Sequence, residues 1–132
     1  MGLAEKIKVM VVDDQVTSRF LLTEALQSLG FKNISVAKDG EDAFGMLVRE
    51  PHHLIISDFN MPRMDGLSLL QAVRANPGTK KSAFIILTAQ GDRVLVQKAA
   101  ALGANNVLAK PFTSEKIKNA IEAVFGSLLL GK

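Results

Sequence analysis

The chain has 132 residues, close to the commonest size of one globular domain, and a composition of 48% hydrophobic and 22% charged residues suits a packed core under a solvated surface. The absence of cysteine excludes disulfides, thiolate metal sites and thiol nucleophiles. The formal charge of +3 comes without a basic block, and no signal-peptide pattern or membrane-length apolar run is present, so a soluble cytoplasmic protein that binds neither nucleic acid nor membrane is expected.

Lys8 to Val12 is a short, almost wholly apolar run ending at Asp13-Asp14, which predicts a strand buried on both faces. From Gln15 to Leu29 the residues Leu22, Leu26 and Leu29 share one helical face, and Gly30 supplies the stop. The alternation repeats with a strand over Asn33 to Ala37, a helix over Glu41 to Arg49, a strand over His53 to Ser57 and a helix over Asp65 to Ala75. After the break at Asn76-Pro77-Gly78 come a strand over Ala83 to Leu87, a helix over Arg93 to Leu102 and a strand over Asn106 to Ala109.

The last helix is expected over Ser114 to Leu128, with Ile117, Ala120, Ile121, Val124 and Phe125 as its buried stripe and Thr113 or Ser114 as its cap. Five strand-helix units with short connections imply right-handed crossovers, hence an open parallel sheet with helices on both faces in one domain spanning 1–132. Such sheets place their sites outside the carboxyl ends of the strands.

Those ends carry Asp13 and Asp14 on the first strand, Asp58 on the third, Thr88 on the fourth and Lys110 on the fifth. Three gathered carboxylates repel one another strongly at low effective dielectric, which predicts a hard divalent cation between them. Oxygen ligands from carboxylates, water and a phosphoryl group suit Mg²⁺. Asp58 can then serve as a carboxylate nucleophile toward phosphorus, while the metal and Lys110 neutralise the transferred group and Thr88 donates a hydroxyl hydrogen bond.

Val11-Val12-Asp13-Asp14, the run from Ser57 to Gly66, Leu87-Thr88-Ala89 and Lys110-Pro111-Phe112 together resemble the motifs of two-component response regulator receiver domains, most of all stand-alone chemotaxis receivers. The likeness covers nearly the whole chain. It implies a flavodoxin-like, doubly wound (βα)5 α/β fold with strand order 2-1-3-4-5. It further implies Asp58 as phosphoacceptor, with Mg²⁺ on the Asp14 and Asp58 side chains and the Asn60 backbone carbonyl, and with Asp13 helping through water. Thr88 and Lys110 would contact the phosphoryl group, and a cis peptide would join Lys110 to Pro111.

The implied partners are a histidine kinase of the chemotaxis type, a flagellar motor switch protein and a phosphatase, with the chain acting as a monomer. It would be a signalling switch rather than an enzyme, supporting its own phosphotransfer and autodephosphorylation. In such receivers Asn60 and Gln90 would flank the path of the hydrolytic water.

The switch region would comprise Thr88, Ala89, Val107 and Lys110, and at Val107 the chain departs from the family. An aromatic side chain is usual three positions before the lysine, and valine has no ring to swing. The expected alternative is displacement of the loop after Thr88 and of the fourth helix, with Gly91 supplying backbone freedom. Loss of the ring also adds weight to a phosphate sink or relay role without motor output.

Taken singly, each strand-end Asp is more readily a turn or cap residue, Thr88 a loop hydroxyl and Lys110 a surface ion pair; their combination carries the reading. Asp65 is expected to cap a helix, and His52 and His53 to be solvated loop residues. Met10, Met46, Met61 and Met64 are expected to pack. The cationic excess from Asp92 to Lys132 is either solvated helix surface or a docking face for an acidic peptide. A Mg²⁺-dependent phosphatase of the haloacid dehalogenase type would need a second Asp where Asn60 stands. An FMN carrier would need a hydroxyl-rich loop where Asp13-Asp14-Gln15 stands.

Overall fold

The computed structural model describes residues 3–89 and 93–126. The strands are β1 (Lys8–Val12), β2 (Asn33–Ala37), β3 (Leu54–Asp58), β4 (Ala83–Thr88) and β5 (Asn106–Ala109), alternating with α1 (Val16–Ser28), α2 (Gly40–Arg49), α3 (Gly66–Ala75), α4 (Arg93–Ala101) and α5 (Ser114–Phe125). All strands pair in parallel, in the order β2-β1-β3-β4-β5, so the expected flavodoxin-like topology is the observed one. Among the described residues no helix is long and apolar enough to cross a membrane.

Period-two alternation sends each strand's side chains to opposite faces. Val9, Val11, Leu54, Ile56, Ile85 and Leu87 meet Leu22 and Leu26 of α1 and Ile117 and Ile121 of α5. Met10, Val12, Ile55, Phe84 and Ile86 meet Leu47 of α2, Leu69, Leu70 and Val73 of α3, and Ala99 of α4. Both sheet faces are therefore covered, which is why these strands read as continuous apolar runs. The predicted stripe of α5 is correct: Ile117, Ala120 and Ile121 are buried, and Val124 and Phe125 pack partly buried beside them.

Element ends differ from expectation in ways that matter for function. β3 begins at Leu54 and extends to Asp58, and β4 includes Thr88, so both residues are held by sheet pairing, Asp58 against Leu87 and Thr88 against Ala109. The end of α5 comes at Phe125, where Gly126 takes a φ of 80° and donates its N–H to the Glu122 carbonyl at 2.8 Å. The expected continuation to Leu128 lies outside the described residues. A 3-10 turn over Leu3–Lys6 was not anticipated; Ala4 and the following Ile7 pack into the first core and hold it there.

His52 is a correction. It is buried, with Nδ1 2.7 Å from the Glu50 carbonyl and Nε2 3.1 Å from Ser35 Oγ, and its own carbonyl accepts from Ser82 Oγ at 2.6 Å. Both ring nitrogens are satisfied locally, which is how a polar ring can be buried at the strand entrance. His53 stays exposed and accepts from the Lys8 N–H at 2.9 Å.

Thr113 caps α5 by accepting from the Lys116 N–H at 3.1 Å. Thr113→Ala is expected to cost about 1 kcal/mol, the usual penalty for losing an N-cap. A urea denaturation midpoint unchanged from wild type would contradict that role.

Candidate phosphoacceptor site

The sheet registers bring the carboxyl ends of β1, β3, β4 and β5 to one edge. Asp13 follows β1 directly and is fixed there by its own N–H, which donates to the Ala37 carbonyl at 3.1 Å. Its buried side chain accepts from the Gln15 N–H at 2.9 Å, and its other oxygen lies 3.3 Å from Lys110 Nζ. Asp14 is exposed at the mouth. Asp58 ends β3 with its side chain 12% exposed, and Oδ1 stands 3.1 Å from Lys110 Nζ.

Oxygens of Asp13, Asp14 and Asp58 lie within 4.8 Å of one another. Opposite oxygens on Mg²⁺ are at most about 4.2 Å apart, twice the metal-oxygen distance, so closing on the ion needs a shift of under about 1 Å. Three carboxylates faced by one ammonium also leave a deficit of positive charge. Donor chemistry, spacing and charge therefore all fit a hard divalent cation.

Electrostatics point the same way. Burial pushes the Asp58 carboxyl above its ordinary value, and Asp13 adds to this, while the hydrogen bond and charge of Lys110 pull against it without cancelling the rise. Burial alone would lower the Lys110 ammonium, yet its hydrogen bond to Asp58 and the charges of Asp13 and Asp58 hold it above the usual lysine range. Lys110 is thus firmly charged, and ionised Asp58 is in want of a further cation.

Thr88 is buried at the end of β4, and its carbonyl accepts from the Lys110 N–H at 2.8 Å, tying together the two residues expected to meet a phosphoryl group. Ala89 is exposed beyond it. Val107 pairs with Ile86 in the sheet and packs partly buried on the second core, so its side chain points into the layer shared with α4. Asn60 lies in the loop after β3. With Phe59, Leu67, Thr88, Val94, Leu95 and Lys98 it lines a cavity of about 140 Å³ beside the acidic cluster. The Lys110-Pro111 peptide is cis. Gln90 and Gly91 fall outside the described residues.

Two residues escaped the sequence reading. Ser18 places Oγ 3.3 Å from Lys110 Nζ, and Arg19 donates through Nη1 to the Asp13 carbonyl at 2.8 Å. Both sit in the first turn of α1, directly after the acidic pair, and that position was the available signal. Asp65 caps α3 through the Ser68 N–H at 2.8 Å. Met10 is buried, and Met46, Met61 and Met64 pack partly buried, as expected.

Residues 9–122 match the family model described as response regulator receiver domain. A Rhizobium etli protein described as a probable chemotaxis protein CheY is 71% identical over 128 residues, covering 97% of this chain and 99% of its own length. The NMR structure of BeF3-activated CheY2 with Mg²⁺ from Sinorhizobium meliloti is 76% identical, covers 97% of this chain and 99% of that chain, and has a TM-score of 0.74. The CheX-CheY-BeF3-Mg²⁺ complex from Borrelia burgdorferi is 30% identical, with a TM-score of 0.85 over 90% of this chain and 89% of that chain.

Proposed function

The chain belongs to the response regulator receiver domain family and resembles chemotaxis CheY proteins, and from that premise we propose that it takes a phosphoryl group from a histidine kinase onto Asp58 and signals to the flagellar motor switch. Receivers of this kind are signalling switches rather than enzymes in the ordinary sense. The observation that carries the reading is the shared Lys110 ammonium, within 3.3 Å of both Asp13 and Asp58 at the carboxyl edge of the sheet.

In this reading the Asp14 and Asp58 side chains and the Asn60 backbone carbonyl would hold Mg²⁺, with Asp13 helping through water, and the ion would neutralise charge on the phosphoryl oxygens. The ionised Asp58 carboxylate attacks phosphorus in line as the donor's imidazole departs, and an acyl phosphate remains on Asp58. Lys110 pairs with one equatorial oxygen and the Thr88 hydroxyl donates to another. Attack of water on the same phosphorus would release inorganic phosphate and return the free carboxylate, the autodephosphorylation of this reading. Val16 and Phe20, one turn apart at the start of α1 just after the acidic pair, stand 70% and 62% exposed and would offer the donor an apolar landing.

The signal leaves through α4. The cavity between Asn60, Thr88 and Leu95 gives that region room to move when Thr88 turns toward the phosphoryl group. Output then reaches α4 and α5, where the exposed Arg93, Lys98 and Lys116 suit an acidic segment of the motor switch. Val107 supports a second reading, a phosphate sink without motor output, because no ring is available to relay the Thr88 movement outward.

Pull-downs with and without beryllofluoride separate the two. Enrichment of a motor switch component only on the loaded protein is expected, whereas retention of kinase alone in both states would favour the sink. If beryllofluoride leaves amide resonances of Ala89 and of Arg93 to Ala101 unshifted, displacement of α4 is wrong.

A further inference from the structure

The loop that follows Asp58 is fastened from outside the site. Asp39, at the junction of β2 and α2, is buried, and one of its oxygens caps α2 by accepting from the Asp42 N–H at 2.8 Å. Its other oxygen accepts from the Arg63 guanidinium, which belongs to the loop between β3 and α3. Arg63 has a φ of 68°, and among the described residues it is the only non-glycine in that region, a conformation side chains keep only when the surroundings hold them there.

The same junction meets the loop at a second point. A Cβ at Gly40 would stand 2.5 Å from the Met64 carbonyl oxygen and 2.9 Å from Met64 Cβ, so the absent side chain is what lets the loop lie flat on the start of α2. At its own ends the loop closes through the Gly66 N–H on the Phe59 carbonyl at 2.8 Å and the Met64 N–H on the Pro62 carbonyl at 2.7 Å. Between these fixed points lies Asn60.

We propose that Asp39 and Arg63 are positioning residues of the phosphoacceptor site: their ion pair pins the loop after Asp58 so that the Asn60 carbonyl faces the cation. The inference rests on the reading that Asn60 supplies a backbone ligand to Mg²⁺. Neither side chain reaches the metal or the phosphoryl group; each acts through the path of the backbone. Because Asp39 also caps α2, a plain structural role has to be separated from this one. Asp39→Asn makes the separation, since asparagine caps a helix as well as aspartate does while losing the charge that holds Arg63.

The test is a Mg²⁺ titration followed by amide resonances in wild type, Asp39→Asn, Arg63→Ala and Arg63→Lys, with amide hydrogen exchange of the metal-free proteins and thermal melts alongside. Asp39→Asn and Arg63→Ala should bind Mg²⁺ roughly tenfold more weakly, with faster exchange confined to residues 59–64. Arg63→Lys should recover most of the affinity. Unchanged Mg²⁺ affinity in both Asp39→Asn and Arg63→Ala would overturn the positioning role, whatever their melts do, and leave the phosphoacceptor reading standing. Failure of the wild type to bind Mg²⁺ would overturn both.

Discussion

Asp58→Asn is expected to abolish acyl-phosphate formation and, without metal, to raise the melting temperature. The first effect follows because a carboxamide offers no anionic oxygen to phosphorus, and none of the neighbouring carboxylates shares the Asp58 position at the end of β3. The second follows from the raised Asp58 pKa, which burial dominates. A group with a raised folded pKa contributes stability below its unfolded pKa and loses it as pH rises through the folded one. Ionised Asp58 therefore costs stability at neutral pH, and the amide removes that cost.

A rise of a few degrees is expected, since about 1 kcal/mol moves the midpoint by roughly 2–8 °C in domains near this size. The gain should shrink as the pH falls into the range where wild-type Asp58 takes up its proton. Added Mg²⁺ should reverse the ranking: at ten times its dissociation constant a ligand stabilises its protein by about 1.4 kcal/mol, and the variant should gain far less. Calorimetry at two pH values with and without Mg²⁺ checks all three signs. A variant less stable than the wild type at neutral pH without metal would contradict the electrostatic account.

Gly66→Ala carries the next largest effect, because it couples stability to the site. A Cβ there would sit 2.7 Å from the Asp58 carbonyl oxygen and 3.1 Å from Phe59 Cα, and both are backbone atoms that cannot swing aside. Alanine in place of glycine favours a helix by roughly 0.5–1 kcal/mol. Overpacking against fixed atoms costs about 1–3 kcal/mol, so the clash wins. The variant should unfold at lower denaturant and phosphorylate more slowly, since relief of the clash moves Asp58 itself. Wild-type rates in a fully folded Gly66→Ala protein would show that the close approach does not position Asp58.

Much of this was legible in the residues. Apolar strands buried on both faces, each followed by an amphipathic helix, lead to a parallel sheet, and a parallel sheet leads to its carboxyl edge, where Asp13, Asp14, Asp58, Thr88 and Lys110 meet. What stayed hidden depended on pairs distant in sequence. His52 reads as a surface histidine until Ser35, 17 positions away, is seen to satisfy its ring. Asp39 and Arg63 are unremarkable apart, 24 positions from each other, and only the fold joins them. Ser18 and Arg19 gained meaning once α1 was seen to start directly behind the acidic pair. The 3-10 turn was missed because Leu3–Lys6 has no periodic pattern long enough to register, and tertiary packing of Ala4 and Ile7 holds it.

Val107 separates the chemistry from its consequence. In the proposed reading the acceptor site would use Asp58, Lys110, Thr88 and a cation, and none of these depends on a ring at position 107. Output would depend on how Thr88 is coupled to the outer face, and here the cavity beside Leu95 and the packing of α4 are what such a coupling would have to work with.

Everything proposed for this chain turns on Asp58 as the acceptor of the phosphoryl group. Peptide mapping by mass spectrometry, after incubation with a small phosphodonor and Mg²⁺, locates the modified residue. One acyl phosphate is expected, on Asp58, that does not form when Mg²⁺ is chelated beforehand and is absent from Asp58→Asn. Modification at another residue, or a phosphorylated Asp58→Asn protein, would contradict it.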